Sequence, residues 1–309
     1  MTQFLILIIQ MFFIPALSPL LVGGIRKVKA ILQNRRGASI FQPYRDVRKL
    51  FNKDEVISED ASWIFRVTPY LVFSITVFIG ACIPLFWMTS VHVFISDLLL
   101  VVYLLLLGTF FLALAGIDTG SAFGGFGSSR EMTLGSLAEG ALIFSLLALA
   151  FSSRTTDLAL IAENVASLPF DSLLPVALAF FGFATSLLAE NARFPFDNPA
   201  THLELTMVHE AMILEYSGHR LALVEWASAN KLLIFLSLGA NVFLPWGIAS
   251  FTGIVPVIYG LLIYGVKVGL LALAIAFLES SIPKLRFFRL PNLLFTSFIL
   301  SIIAMGLAM

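Results

Sequence analysis

Residues 96–117 read SDLLLVVYLLLLGTFFLALAGI, and Asp97 is the only charged residue among them. A helix of about 20 such residues is long enough to cross the hydrocarbon core of a bilayer, which is about 30 Å thick. The rest of the 309-residue chain has the same character, since 59% of its residues are hydrophobic, 12% are charged and the mean hydropathy is +0.96. Because a soluble domain carries about 25% charged residues, this composition predicts a protein that spans the membrane several times.

Apolar runs of similar length recur on both sides of this stretch. Lipid offers no hydrogen-bond partner to an open strand edge, so each run is expected to form a helix. We therefore predict an all-α integral membrane protein, built as a single membrane domain over residues 1–309, with about eight transmembrane helices. The predicted spans are 3–25, 69–90, 96–117, 132–152, 171–190, 231–251, 254–278 and 291–309.

The distribution of positive charge orients these spans. With the N-terminus outside, the connections that fall inside hold 17 of the 19 Lys and Arg residues, and such residues accumulate in cytoplasmic loops. Both termini are therefore predicted to lie outside. The two long inner connections are expected to carry amphipathic helices, one in PYRDVRKLFNK (43–53) and one over 199–216 that Gly218 ends. The inner connections are 26–68, 118–130, 191–231 and 279–290.

The composition also excludes several kinds of function. The formal net charge is zero, so nothing indicates a nucleic-acid partner. Cys82 is the only cysteine, which excludes an internal disulfide and any zinc or iron–sulfur site with several cysteine ligands in this chain. A metal site between His202 and His209 is disfavoured because seven residues separate them by two helical turns. Neither a metal site nor a catalytic residue is predicted here, so redox centres would belong to other subunits.

Two charged residues lie in the interior of predicted spans, away from the span ends, where a charge costs about 2.5–3.5 kcal/mol on insertion scales. Glu139 lies in the fourth span, either as a proton-carrying carboxylate that faces a hydrated cavity or as a packing group that is hydrogen-bonded to a neighbouring helix. Lys267 lies in the middle of the seventh span, either as part of a proton relay or as half of a structural ion pair. Glu139 is the candidate partner of Lys267.

Charged residues are concentrated in ENARFPFDNPATHLELTMVHE, residues 190–210. Glu190 and Arg193 would share a helical face if the fifth span continued past Glu190. Glu204 lies on the same stripe as Glu215, and His202 lies on the same face as His209. These residues form either a solvated helix face or a proton path, for which histidines that titrate near neutrality are suited. Upstream, SSRE (128–131) has the spacing of a capping box, and the glycines of 118–130 would allow close backbone contact.

Four motifs resemble the subunit 1 family of respiratory complex I. They are ENARFPFD (190–197), NRRGASIFQPYRDVRKLF (34–51), LAGIDTGSAFGGFGSSRE (114–131) and FLESSIPKLRFFR (277–289). The chain is most similar to the membrane anchor subunit of group 4 membrane-bound nickel–iron hydrogenases, of the formate hydrogenlyase and hydrogenase-4 types. That resemblance implies a subunit of an oxidoreductase complex in a prokaryotic cytoplasmic (inner) membrane, which couples electron transport to proton translocation.

The resemblance also implies partners and site residues. Hydrogenase large and small subunits would dock on the cytoplasmic face and carry the nickel–iron centre and iron–sulfur clusters, and antiporter-like and small membrane subunits would lie alongside in the bilayer. No cofactor is expected in this chain. Together with the residues argued above, the candidate proton path is Glu139, Glu190, Glu204, Glu215, Lys267, His202 and His209. The candidate residues facing the peripheral arm or a quinone are Arg35, Arg36, Gln42, Arg45, Asp46, Arg130, Arg193 and Asp197.

Two other functions remain open at this point. The chain could be the quinone-site subunit of a complex I-like quinone oxidoreductase, in which case a quinone would bind. It could also be a stand-alone secondary transporter, in which case the purified chain would transport ions without partners. The absence of a convincing inverted repeat weighs against the transporter, because many transporter folds contain one.

Overall fold

The computed structural model describes residues 2–87, 95–169, 173–197, 207–248, 254–283 and 285–309. Eight of its helices are long and apolar enough to cross a membrane, and these residues contain no β-sheet beyond one isolated bridge between Asp97 and Asp157. The predicted all-α membrane fold is therefore confirmed. In chain order the helices are α1 (Thr2–Leu32), α2 (Gln42–Phe51), α3 (Trp63–Cys82), α4 (Leu98–Asp118), α5 (Ala122–Ser153), α6 (Leu158–Ala166), α7 (Leu173–Glu190), α8 (His209–Ile213), α9 (Gly218–Leu238), α10 (Ile254–Ser281) and α11 (Leu290–Ala308).

Helix α9 begins much earlier than its sequence predicts. The expected span began at residue 231, whereas α9 begins at Gly218 and continues into a π-helical segment, Gly239–Phe243. Charged residues such as Arg220 and Lys231 are therefore inside a helix, where Glu55 and Glu190 pair with them. The predicted spans depend on hydropathy alone. The charged residues of 218–231 lower the hydropathy, so this part of the helix was left out of the predicted span.

The glycine-rich stretch 118–130 is also mostly helical. Helix α5 begins at Ala122, so the connection to α4 is only a tight turn. Arg130 is consequently a helical residue and not part of a loop. Ser128 lies inside the same helix, so the predicted capping box with Glu131 is wrong. The expectation of close backbone contact at these glycines is confirmed, because a Cβ on Gly124 would lie 2.1 Å from the carbonyl oxygen of Gly116.

This contact gives a test of the packing between α4 and α5. The Gly124→Ala substitution is expected to destabilise the protein by about 1–3 kcal/mol, because the added methyl group meets rigid backbone. The matched control is Gly125→Ala, since a Cβ there has no neighbour within 4 Å and alanine favours a helix over glycine by about 0.5–1 kcal/mol. Thermal unfolding of both variants in detergent checks the pair, and equal melting temperatures would contradict the tight contact.

Helix α1 contains two prolines that shape the half of the molecule where the connections predicted to lie inside are found; we call that half inner and the opposite half outer. Pro19 has no N–H group to donate to the carbonyl of Pro15, which is therefore free to bind elsewhere. The indole Nε1 of Trp226 in α9 donates to that oxygen at 2.9 Å. The Tyr44 hydroxyl of α2 donates to the next carbonyl, that of Ala16. Helix α2 packs against α1 and α9. Its presence confirms the amphipathic helix predicted in the first inner connection.

The second inner connection differs from its prediction. Residues 198–206, which include Asn198, His202 and Glu204, lie outside the described residues. The described remainder contains only the short helix α8, and residues 207–208 are not helical, so one continuous helix over 199–216 is wrong. Gly218 was expected to end that helix. It has a φ of +54° and is instead the first residue of α9. A Cβ on Gly218 would lie 3.1 Å from the carbonyl oxygen of Lys53, so glycine lets the first inner connection approach closely.

Two aspartates organise the outer ends of the helices. Asp97 caps α4 by accepting hydrogen bonds from the backbone of Leu99 and Leu100. Asp157 caps α6, a short helix in the outer connection that the sequence did not predict, by accepting from Ala159 and from the next residue. Such caps satisfy backbone donors that a helix leaves free at its first turn.

Candidate functional site

A buried ion pair joins the inner halves of two spans. Helix α7 ends at Glu190, and the Lys231 side chain of α9 reaches its Oε2 atom with an Nζ–O distance of 2.7 Å. The Glu190 and Lys231 side chains are only 3% and 19% exposed. Lys231 also donates to Thr109 of α4 at 3.1 Å. The second carboxylate oxygen, Glu190 Oε1, is buried and has no hydrogen-bond partner among the described residues.

Three further carboxylates surround this pair. Glu131 of α5 lines a cavity of about 40 Å³ together with Glu190 and Lys231, and it lines an adjoining small cavity together with Asp197. Glu139, two turns further along α5, lies within electrostatic range of Glu190 and Lys231. We name these five residues the inner acidic cluster: Glu131, Glu139, Glu190, Asp197 and Lys231. Three of the carboxylates interact with the one lysine, and Asp197 joins the cluster through the cavity that it shares with Glu131 and Glu190.

Asp197 connects the cluster to α8. Its Oδ2 atom accepts hydrogen bonds from the backbone N–H groups of Val208 (3.1 Å) and His209 (3.3 Å), and so it stabilises the first turn of α8. Burial lowers the pKa of His209 to about 4, the charge of Lys231 contributes to this lowering, and Asp197 opposes both effects. His209 is therefore neutral at pH 7. This pKa lies below the neutral range expected for the residue, because the sequence does not show that its imidazole is partly buried.

The predicted pair of Glu190 with Arg193 does not form. The helix ends at Glu190, and Ala192 has a φ of +48°, so Arg193 leaves the helical face. Arg193 instead lies 3.2 Å from Glu279 of α10, and Lys29 of α1 lies 2.6 Å from the same carboxylate. The Glu279 side chain is completely buried. We call Glu279, Arg193 and Lys29 the Glu279 triad; it attaches the loop 191–197 to two spans.

A larger cavity of about 420 Å³, the inner cavity, lies between the inner end of α1, helix α2, the loop 191–197, α8 and α9. It brings together Asp46, Arg193 and Asp197, three of the residues predicted to face the arm or a quinone, with His209. Gln42 does not line this cavity and donates to Asp46 at 2.8 Å. The other residues of that prediction are placed apart from it.

Arg35, Arg36 and Arg45 are exposed on the inner surface. Arg130 is partly buried, donates to the Met207 carbonyl at 3.1 Å and lies over the ring of Phe287 at 5.7 Å. Of the eight predicted residues, three line the inner cavity and three are exposed on the surface, while Gln42 and Arg130 are partly buried and belong to neither group.

Lys267 lies in a separate polar site near the outer ends of the helices. Its ammonium donates to the side chain of Asn241 at 3.0 Å and to the carbonyl of Leu244 at 2.8 Å, where α9 has passed through its π-helical segment. Asn241 in turn donates to the carbonyl oxygens of Pro84 and Leu85. Among the described residues no ion pair joins Lys267 to Glu139, so that proposed contact is wrong. A carboxylate was expected to accept from Lys267. The amide oxygen of Asn241 and a backbone carbonyl left free at the end of a helix accept instead.

Glu215 also lies apart from the cluster. It is exposed after α8 and lines none of the cavities around Glu190. The stripe that was predicted to join it to Glu204 depended on the continuous helix over 199–216, which does not form.

Four residues of these sites are not predicted from the sequence. The pattern assigns Lys231 to an inner connection and Glu131 to a cap, and it does not single out Lys29 or Glu279. The sequence does contain a signal that each of two residues lies near a membrane span. The apolar run LLIFLSL directly follows Lys231, and Glu279 lies in the motif FLESS at the end of an apolar run. Neither pattern indicates which opposite charge each residue meets.

Eight helices long and apolar enough to cross a membrane, with buried carboxylates and a lysine between them, define an integral membrane protein with a charged interior. The chain matches the family model described as NADH dehydrogenase (NADHdh) over residues 4–309, and it belongs to that family. The resemblance to subunit 1 of complex I that the motifs indicated is thereby confirmed.

Relatives in this family include subunits of hydrogenase complexes. Hydrogenase-4 component C of Escherichia coli (strain K12) is 35% identical, covering 93% of this chain and 90% of the relative. Formate hydrogenlyase subunit 4 of the same organism is 33% identical, covering 94% of each chain. A subunit of the NADH-quinone oxidoreductase of Rickettsia prowazekii (strain Madrid E) is 28% identical, covering 87% and 80%.

The fold also has a solved counterpart. One polypeptide from the structure of the membrane-bound sulfane sulfur reductase (MBS), an archaeal respiratory membrane complex, superimposes with a TM-score of 0.81 over 100% of both chains. Its sequence is only 20% identical, so this similarity establishes the fold alone.

Proposed function

We propose that the inner acidic cluster is a proton-loading station of an energy-converting hydrogenase complex, in which this chain is the membrane anchor. One observation carries the proposal: Glu131, Glu139 and Glu190 surround a single lysine inside the bundle, and Asp197 shares a small cavity with Glu131 and Glu190. Several like charges cannot all remain ionised at short range in a medium of low dielectric constant, so such a group shares protons. The identities of 35% and 33% to two hydrogenase-type subunits support the setting.

The Lys231–Glu190 pair gives the cluster a means of responding to its surroundings. Lys231 balances one carboxylate, and a shift of its ammonium group away from Glu190 would leave that carboxylate without its cation. Asp197 links the cluster to α8 through two backbone hydrogen bonds. A partner that moves the loop 191–197 would therefore change the proton occupancy of the cluster. His209 and the inner cavity would admit water and protons from the inner side.

The partners follow from the same setting. Hydrogenase large and small subunits would dock on the inner face, over the exposed residues Arg35 and Arg36 and the mouth of the inner cavity, and would carry the nickel–iron and iron–sulfur centres. Antiporter-like and small membrane subunits would receive protons from the cluster within the bilayer. Of the 19 Lys and Arg residues, 17 lie in the connections predicted to be inside. This distribution supports a topology in a prokaryotic inner membrane with both termini outside. Lys267 would act separately, close to the outer side.

A second candidate function rests on the inner cavity. Its volume of about 420 Å³ is within the range of small-molecule sites, and a 28% identical relative belongs to an NADH-quinone oxidoreductase. In that case the chain would bind a quinone in the inner cavity. Added quinone would then support turnover of the purified complex, whereas the hydrogenase assignment requires hydrogen evolution without it.

The proton-loading role is tested with Glu139→Gln in the purified complex, reconstituted into vesicles. Hydrogen evolution and subunit content are expected to stay near wild type, while protons moved per hydrogen formed fall about tenfold or more, because a glutamine cannot carry the proton. The matched control is Glu163→Gln on the exposed side of α6, which should pump normally. Full coupling in Glu139→Gln would remove Glu139 from the path.

A further inference from the structure

One face of α2 consists mainly of cations. Arg45, Arg48, Lys49 and Asn52 fall within about 100° around the helix axis, and Lys53 follows directly. All five side chains are exposed. Together these five residues line a depression of about 430 Å³. We call this depression the basic pocket of α2.

The charges of this pocket are not balanced within the described part of the chain. None of its four cations forms an ion pair there. Asp46 lies on another face of α2, where it accepts from Gln42 and lines the inner cavity, and Asp54 is the nearest acidic residue that follows in the chain. Pro43, on the face opposite the cations, is buried against the bundle. Lys49 and Lys53 lie at the edge of this pocket and also line the inner cavity, whereas Arg45 and Arg48 line the basic pocket alone.

The depth of α2 is set by two kinds of contact. The Tyr44 hydroxyl reaches the carbonyl of Ala16, which belongs to the membrane-spanning part of α1. Large apolar side chains are exposed at both ends of α2, since Phe41 is 59% and Phe51 is 43% exposed. A helix with exposed aromatic ends and a basic face lies favourably at the boundary of acyl chains and headgroups.

We propose that the basic pocket of α2 binds the headgroup of an anionic phospholipid of the inner leaflet. Arginine side chains hold phosphate oxygens with paired hydrogen bonds, and the lysines add point charges. Phe41 and Phe51 contact the acyl chains of the same lipid. These exposed aromatic residues favour a lipid over free phosphate or an acidic peptide, because neither of those would cover them. The proposal does not depend on the proton-loading role.

The test compares two double variants of the purified protein with its co-purifying subunits. Arg45→Gln/Arg48→Gln removes two charges from the pocket, and Arg286→Gln/Arg289→Gln removes two exposed charges from the connection before α11. Phosphatidylglycerol and phosphatidylcholine are titrated into each protein in detergent, and bound lipids are counted by native mass spectrometry. Because each basic residue near an anionic lipid contributes about 1 kcal/mol, the first variant should bind phosphatidylglycerol about 30-fold more weakly. The second should bind it normally.

Several outcomes would overturn the proposal. Equal binding of the two lipids by the wild type would show that the pocket does not select an anionic headgroup. Equal losses of phosphatidylglycerol binding in both variants would show a general effect of protein charge and not a specific site. Competition by inorganic phosphate at millimolar concentration would assign the pocket to free anions. Loss of a co-purifying subunit only from Arg45→Gln/Arg48→Gln, with lipid binding unchanged, would make it a protein contact. Thermal unfolding of both variants near the wild-type temperature shows that they are folded.

Discussion

Lys231→Met is expected to destabilise the protein by about 3–5 kcal/mol, because it leaves Glu190 buried without its cation. The side chain of Glu190 is only 3% exposed, so bulk water compensates poorly for the lost ammonium group. Glu131 lies beside it, which adds repulsion between carboxylates. Methionine has about the volume of the lysine stem, and packing is therefore largely preserved. The measurement is the free energy of unfolding of the purified protein in mild detergent.

The double variant Glu190→Gln/Lys231→Met completes this experiment as a double-mutant cycle. Removing both charges is expected to restore most of the lost stability, since a buried pair can often be replaced by neutral groups at little cost. The coupling energy between the two sites should therefore exceed about 1 kcal/mol. Glu163→Gln is the control for an exposed carboxylate, and it should remain within about 0.5 kcal/mol of the wild type. Additive losses in the double variant would contradict the ion pair.

Glu279→Gln is expected to have the second large effect. It leaves Lys29 and Arg193 directed at the same buried position without an anion between them, which should cost about 3–5 kcal/mol. Because Arg193 belongs to the loop 191–197, the loss should first appear as faster hydrogen exchange in that loop. Hydrogen exchange followed by mass spectrometry, together with the melting temperature, measures both effects.

The neighbouring residue provides the control for this substitution. Ser280 donates to the carbonyl of Ala276 within its own helix, so Ser280→Ala should leave both measurements nearly unchanged. The double variant Arg193→Gln/Glu279→Gln should recover part of the stability while the loop stays loosened. If exchange in the loop is unchanged by Glu279→Gln, the triad does not hold the loop in place.

Some parts of the site could be predicted because they depend on local pattern. Glu190 and Asp197 follow an apolar run closely, and their position at its inner end is evident from the run itself. The spacing of Val47, Leu50 and Phe51 predicts the amphipathic helix that the structure shows as α2. A local pattern gave a wrong prediction for Glu131. Its spacing to Ser128 is that of a capping box, but α5 begins before Ser128 and continues past Glu131, so neither residue lies at a helix end.

The eight membrane helices follow from the residue pattern, and the same pattern predicts on which side positive charge accumulates. The physical reason is that lipid cannot satisfy a free backbone group or an isolated charge, so the length of each apolar run and the position of each cation carry the information. Which charges meet is visible only once the helices are packed. Glu190 and Lys231 are 41 residues apart, and Arg193 and Glu279 are 86 apart. Such pairs depend on how helices pack and where they end, and no local pattern records either.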